Sequence, residues 1–272
     1  LAIHNSDVPD GWEREGEEGE SIASPHKGDR VDIGLPANQV GFLRRLRQGN
    51  SKPIIVVLTA GSPLAIGEVH ELADAVLYAW YPGEQGGLAV ADLLFGDAAP
   101  SGRLPLTFPN SVDQLPPYTD YSMEGRTYRY MAAEPLYPFG FGLSYTQFEY
   151  SDLKLDRDEV RQGDTVRATV TVRNIGPVAA DEVVQLYLID LEASVRTPVA
   201  ALKGFGRVRR GPGRHQSVTF AITPEMMCLI DENGDTRLEP GQFKVTIGGC
   251  SPGSRGAALG AARPAEATFT VQ

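Results

Sequence analysis

Residues 53–59 read Pro-Ile-Ile-Val-Val-Leu-Thr, with nothing polar from Ile54 to Leu58. A run this short and this continuous fits a strand covered on both faces, as strands of parallel sheets are. Its flanks agree. On the N-terminal side, residues 35–48 bring Val40, Leu43 and Leu46 to one helical face, with Pro36 suited to the first turn and Gly49 to the stop. On the other side Gly61-Ser62-Pro63 turns the chain, and a short helical stretch to Ala73 leads into a second apolar run at 75–80. Gly86-Gly87 opens a further helix with Leu88, Ala91 and Leu94 on one side, ended by Gly96. Strands alternating with helices predict an α/β layered (sandwich) domain over 1–147.

The pattern changes near residues 145–148. Residues 165–173 alternate Val or Ala with Thr or Arg, the period-2 signature of a half-buried strand. Asn174-Ile-Gly-Pro177 is a turn, and 182–189 alternates again with Val184, Leu186 and Leu188 on one face. Further strands are expected at 199–208, 217–222, 242–247 and 265–271. Short strands with turns between them and almost no helix predict an all-β sandwich over 148–272, a unit expected to fold by itself.

Composition narrows the function. Acidic residues number 35 against 25 basic, a net charge of -10, which opposes a nucleic-acid partner because phosphate is held by clustered Lys and Arg. The dense basic run, 207–214, is broken by Gly-Pro-Gly and reads as a solvated hairpin. No apolar run approaches the ~18 residues of a membrane span. Cys228 and Cys250 are two residues, too few for a disulfide framework or a zinc site, and read as small buried side chains. His4, His26, His70 and His215 are not at metal-ligand spacing. The segment Asp231-Glu-Asn-Gly-Asp235 has the look of a calcium loop but lacks the downstream bidentate glutamate, so Asn233-Gly234 reads as a hairpin turn. No metal or organic cofactor is expected. Leu1-Ala-Ile-His4 reads as the tail of a strand already under way, so further chain is expected before it. Oligomeric state and compartment are not legible.

Three motifs carry a resemblance. The segment running from Ala79-Trp-Tyr-Pro-Gly-Glu-Gln-Gly-Gly through Ser101-Gly-Arg-Leu-Pro-Leu-Thr-Phe-Pro109 closely resembles the second domain of family 3 glycoside hydrolases. Tyr137-Pro-Phe-Gly-Phe-Gly-Leu-Ser-Tyr-Thr146 is similar to the junction that leads, in that family, to a fibronectin-III-like sandwich. Leu238-Glu-Pro-Gly-Gln-Phe243 resembles the last hairpin of that sandwich. Order and spacing match along nearly the whole chain. The resemblance implies retaining hydrolysis of terminal non-reducing β-D-glucosyl or xylosyl residues, on a β-linked oligosaccharide or an aryl or alkyl glycoside. Retention needs two carboxyl groups about 5–5.5 Å apart, one a nucleophile and the other an acid that later acts as base. In the family the nucleophile is an aspartate on a (β/α)8 barrel. Neither that barrel nor a Ser-Asp-Trp motif occurs in these 272 residues, so the chain alone is expected to be inactive. The resemblance also implies that the α/β sheet lacks strands here, which would put the 53–59 strand or its neighbour at an unpaired edge.

The acid/base is implied to lie in Glu13-Arg-Glu-Gly-Glu-Glu-Gly-Glu20, which is followed by Asp29-Arg30 and the Leu35-Pro36 helix entry. Laying the family's Glu-Gly-Glu cluster over residues 18–20 gives Glu20 as acid/base, with Glu18 the runner-up because loop length leaves the register open. Five glutamates within eight residues repel one another, which raises the pKa of whichever is least solvated, as an acid catalyst requires. On charge pattern alone the same stretch is a solvated acidic loop. Asp29 and Arg30 read as an ion pair fixing the loop's base, or as a substrate-binding contact to a sugar. Trp80 and Tyr81 read as packing residues rather than a sugar platform. A different class of function is a non-catalytic carbohydrate-associated or interaction module. Against it stands the acidic cluster, which such a module has no reason to keep.

Overall fold

The computed structural model describes residues 2–4 and 32–272. The chain divides into two compact units, Leu1–Asp97 with Phe108–Pro117, and Ala98–Thr107 with Tyr118–Gln272.

In the first unit, β1 (Ala2–His4), α1 (Ala37–Arg47), β2 (Ile55–Thr59), α2 (Gly67–Leu72), β3 (Ala75–Tyr78) and α3 (Gly86–Phe95) follow one another. The three strands form a parallel sheet in the order β1-β2-β3. Consecutive β2 residues Val56, Val57 and Leu58 are all buried, so both faces of this strand are covered, as its unbroken apolar run requires. Leu43 of α1 and Val69 of α2 are buried as well. Among the described residues β2 is the central strand, and β1 and β3 are the outer ones.

Charged side chains tie the helices down. Arg44 of α1 grips Glu68 of α2 with two parallel N–H···O bonds, the second, from Nη2, at 2.6 Å. Arg47, at the end of α1, donates to the Leu72 carbonyl at 2.7 Å and to Asp74 at 2.5 Å. Asp74 also accepts the Ile54 amide at 2.7 Å, so one carboxylate joins the starts of β2 and β3 to the end of α1.

The second unit contains α4 (Thr127–Tyr130), β4 (Phe148–Leu155), β5 (Glu159–Val160), β6 (Val166–Asn174), β7 (Ala180–Asp190), β8 (Ala201–Arg210), β9 (His215–Ile222), α5 (Pro224–Met227), β10 (Leu229–Ile230), β11 (Thr236–Arg237), β12 (Gly241–Gly248), α6 (Ser254–Ala258) and β13 (Ala265–Val271). A five-stranded sheet, β5-β13-β12-β7-β8, faces a three-stranded one, β4-β6-β9. Between them Val166, Val170, Val184, Leu186, Val245, Ile247 and the stacked pair Phe243–Phe269 (5.5 Å between centroids) form the core. Each such side chain, fully buried, contributes about 1.5–3 kcal/mol of transfer free energy.

Two sequence readings change here. The basic run at 207–214 does not close a hairpin, because β8 pairs with β7 in one sheet while β9 pairs with β6 in the other. The turn carries the chain across the sandwich, and Asn174 organises it. That side chain is fully buried and donates to the carbonyls of Val178 and Arg210, both at 2.8 Å. Its Oδ1 accepts from Thr146 at 2.6 Å and from the Gly176 amide at 3.0 Å, which completes its hydrogen-bonding capacity. Strand β4 is the second change, absent from the sequence reading; a bulge between Ser151 and Lys154 breaks its register and its alternation. By contrast β10 and β11 pair across Asp231–Asp235 as the expected hairpin. There Asp231 Oδ1 accepts the amides of Asn233 and Asp235, both at 2.9 Å. The cysteines are free; Cys250 is buried and Cys228 half-buried.

The sandwich is covered beyond its own two sheets. On β7, Val184, Leu186 and Leu188 point into the core, while Gln185 and Tyr187 point the other way and are buried too. Gln185 donates to the carbonyls of Gly140 at 3.1 Å and Gly249 at 2.7 Å, and Tyr187 donates to Gln185 at 2.6 Å. Tyr128 lies edge-on to Tyr187 and stacks on Phe139. Segments before residue 148 thus cover the outer face of the larger sheet.

Candidate functional site

In an open parallel sheet all strands leave at one edge, and ligands bind in the crevices beyond those carboxyl ends. Here β1 runs level with the end of β2, His4 opposite Thr59, and β3 ends with Tyr78 opposite Leu58. Three connections therefore start from this edge: the one that leaves after His4 and is picked up again at Asp32, the turn at 60–66, and the turn at 79–85.

The first connection is fixed where it returns. Gly34 bridges Ala65 in parallel, and the Ala65 amide donates to the Ile33 carbonyl at 2.9 Å. Asp32 caps its own turn by accepting the Gly34 amide at 2.7 Å. The return of this connection is thus hydrogen-bonded to the second turn. Glu18, Glu20, Asp29 and Arg30 fall within it, and all four lie outside the described residues.

The third connection carries the exposed aromatic of this edge. Trp80 sits at φ 54°, a left-handed conformation that costs a bulky residue about 1–3 kcal/mol unless its surroundings impose it. They do: its indole packs against Tyr78 at 4.7 Å and edge-on to the fully buried Phe108 at 6.2 Å. The Tyr78 hydroxyl donates to the Ser62 carbonyl, joining the third turn to the second. Burial holds the Tyr78 proton well above the ordinary phenol range, so this group is a donor and not a base. Tyr81, next along, is 63% exposed. Gly61 lies under its ring, where a Cβ would come within 2.6 Å of Cε2.

Among the described residues no group of three His, Cys, Asp or Glu side chains is placed to hold a metal, and no helix is long and apolar enough to cross a membrane. The second unit has a cavity of about 310 Å³ lined by Tyr128, Glu134, Phe139 and Arg255. Its charged groups are engaged in the fold: Glu134 accepts from Ser254 at 2.9 Å, and Arg255 donates to the Leu136 carbonyl at 3.0 Å.

Comparison with known proteins agrees with this architecture. A family model described as the glycosyl hydrolase family 3 C-terminal domain matches residues 3–145, and one for a fibronectin type III-like domain matches 182–251. A periplasmic β-glucosidase of Salmonella typhimurium is 40% identical over 243 residues, 85% of this chain and 32% of that protein. A xylan 1,4-β-xylosidase of Xylanibacter ruminicola is 40% identical over 222 residues, 81% of this chain and 25% of that protein. The crystal structure of a mutant β-glucosidase from Listeria innocua in complex with laminaribiose matches with a TM-score of 0.79 at 30% identity, over 100% of this chain and 36% of that one. The chain thus spans about a third or less of the curated relatives' length. Parallel α/β sheet and sandwich follow one another as in those proteins, and the chain belongs to glycosyl hydrolase family 3, of which it carries the C-terminal α/β domain and the fibronectin type III-like domain.

Proposed function

We propose that this chain is the acid/base-bearing part of a retaining β-glycosidase that releases terminal non-reducing β-D-glucosyl or xylosyl residues. Its substrate is a β-linked oligosaccharide or an aryl or alkyl glycoside. Residues 1–147 are its α/β domain and 148–272 its sandwich. The observation that carries this reading is the position of the acidic connection, which starts from the carboxyl edge of the parallel sheet after His4.

In this reading Glu20, with Glu18 as the alternative, starts protonated and gives its proton to the glycosidic oxygen. A nucleophilic aspartate on a (β/α)8 barrel outside these 272 residues takes the anomeric carbon as that bond breaks. The resulting carboxylate then removes a proton from water, which attacks the anomeric carbon and frees the aspartate. Asp29 and Arg30 hold the base of the loop or touch the sugar.

The test is made in the polypeptide that includes the barrel. Glu20→Ala is expected to slow an unactivated disaccharide by about 10²–10⁴-fold. It should lower kcat/KM for a dinitrophenyl glycoside far less, because that leaving group needs no proton, while kcat stays low because the base of the second step is missing. Added azide should restore turnover and give a β-glycosyl azide. If Glu18→Ala alone behaves this way, the role passes to Glu18; if neither does, the reading fails. The isolated 272-residue chain, without the nucleophile, is expected to leave a chromogenic β-glucoside intact.

A further inference from the structure

We infer that Asn233-Gly234 is a self-modification site, open to spontaneous deamidation, and that Asp231 guards it by holding the β10–β11 hairpin closed. The turn requires a left-handed residue, which Gly234 supplies at φ 86°. That requirement places a glycine after an asparagine, the one Asn-Gly pair in the sequence. With no Cβ to crowd its approach, the backbone nitrogen of Gly234 can attack Cγ of the Asn233 side chain. The N–Cγ bond forms, the Cγ–Nδ2 bond breaks, and ammonia leaves with the proton that the Gly234 amide gives up. Water then opens the five-membered imide at either carbonyl. The product is aspartate, or its isomer in which the main chain runs through the side-chain carboxyl. Water is the sole co-reactant, and nothing is oxidised or reduced.

The closed hairpin denies the first step. The Gly234 amide donates to the Asp231 carbonyl at 3.0 Å, so the attacking nitrogen is engaged. Asp231 Oδ1 holds the peptide groups on either side of it, accepting the amides of Asn233 and Asp235, both at 2.9 Å. The Asp231 amide in turn donates to the Asp235 carbonyl at 2.9 Å. Swinging the Gly234 nitrogen toward the Asn233 side chain breaks these bonds together, because all of them join residues 231 to 235. The carboxylate is itself held: Arg237 Nε lies 2.7 Å from Oδ2, and the Asp231 side chain is only 11% exposed. Leu229 and Ile230 pair with Arg237 and Thr236 beneath the turn. Every one of these contacts lies within residues 229–237, so the guard is built into the hairpin and does not depend on what packs around it. The reaction therefore proceeds from the opened turn, at a rate set by the population of that state.

The experiment follows Asn233 by peptide mass spectrometry in the full-length protein at mildly alkaline pH, beside a synthetic peptide of residues 229–238. The native protein is expected to deamidate at least about tenfold more slowly than the peptide, because hydrogen bonds to a carboxylate must first be broken. Asp231→Ala is expected to recover most of the peptide's rate, and Asp231→Asn, which keeps a neutral acceptor, to fall between the two. Should Asp231→Ala not fold, Arg237→Ala, which frees the carboxylate from its ion pair, is expected to raise the rate as well. Amide hydrogen exchange separates an opened turn from general unfolding: in the substituted protein residues 231–235 should exchange faster while β12 stays protected. A native rate equal to the peptide's, or a rate that no substitution moves, overturns the inference. Equal loss of protection in the turn and in β12 overturns it too, since unfolding of the sandwich would then set the rate.

Discussion

Arg103 donates from Nη2 to Glu182 Oε1 at 2.8 Å, and the two side chains are only 8% and 6% exposed. Seventy-nine positions separate them in sequence. Arg103 belongs to the Ser101-Gly-Arg-Leu-Pro segment, where Leu104 exchanges backbone hydrogen bonds with Gly140 and Phe141. Glu182 stands near the start of β7 and also accepts the Val183 amide at 2.8 Å. Arg103 further donates to the Gly102 carbonyl at 3.0 Å. Desolvating two charges is costly, so such a pair adds little net stability over a well-packed apolar pair of similar volume.

Removing one partner leaves the other charged and buried. Glu182→Leu is therefore expected to destabilise the second unit by about 3–5 kcal/mol, and Arg103→Met by a similar amount. Combining Arg103→Met with Glu182→Leu should recover much of the loss, because no uncompensated charge remains. Urea denaturation of the four proteins gives the cycle. Additive losses would mean that the pair is not coupled as its geometry requires.

Asp74 makes the α/β unit sensitive to acid. Its pKa is lowered, first by the hydrogen bond from Arg47 and then by the Ile54 amide. A carboxylate with a depressed folded value contributes stability that is present above its unfolded pKa, about 3.9, and is lost as pH falls through the lower folded one. The first unit is thus expected to lose stability on acidification below about pH 4. Asp74→Asn should be less stable at pH 7 and show a flatter dependence over that window. Melting followed by circular dichroism at pH 7 and pH 3 checks this, and parallel curves for the two proteins would refute it.

The cysteines should differ in reactivity. Burial pushes the Cys250 thiol up to about 11, the Arg103 guanidinium offsetting part of the effect. At pH 8 only about a thousandth of it is thiolate, the form that reacts. Iodoacetamide is expected to modify half-buried Cys228 in the native protein and to reach Cys250 only after unfolding. Peptide mass spectrometry distinguishes the sites. Early alkylation of Cys250 would contradict the packing described for it.

The elements legible in the sequence are those whose periodicity reports burial directly. Ile54 to Leu58 announced a strand covered on both faces, and Val184, Leu186 and Leu188 announced the inner face of β7. Glu182 falls in phase with that inner face, and a buried carboxylate there could be suspected from its phase; its partner Arg103 could not, because nothing local joins two residues so far apart. Gln185 and Tyr187 read as the solvent side of a half-buried strand, yet both are buried, since segments distant in sequence cover that side. The basic run at 207–214 looked like a hairpin because turn chemistry is local, whereas the choice of sheet for each strand is tertiary. At the candidate site, the acidic cluster assigned from motif order lies outside the described residues, while the strain at Trp80 and the bare Gly61 beneath Tyr81 emerge only from the backbone.

The cover on β7 sets how much chain the sandwich needs. A fragment of residues 148–272 keeps both sheets and the core between them, but it lacks Arg103, Tyr128, Phe139 and Gly140. Glu182 would lose its cation, Gln185 one of its carbonyl partners, and Tyr187 its aromatic cover. A fragment of residues 98–272 keeps all of these. The shorter fragment is expected to be less stable, since Gln185 and Tyr187 lose partners that cover them. It should also be cut faster by protease and bind a hydrophobic dye at the uncovered sheet. Equal urea midpoints for the two fragments would show that the segments 98–107 and 118–147 do not contribute to the stability of the sandwich, and that the 2.8 Å contact of Arg103 with Glu182 contributes no net stability.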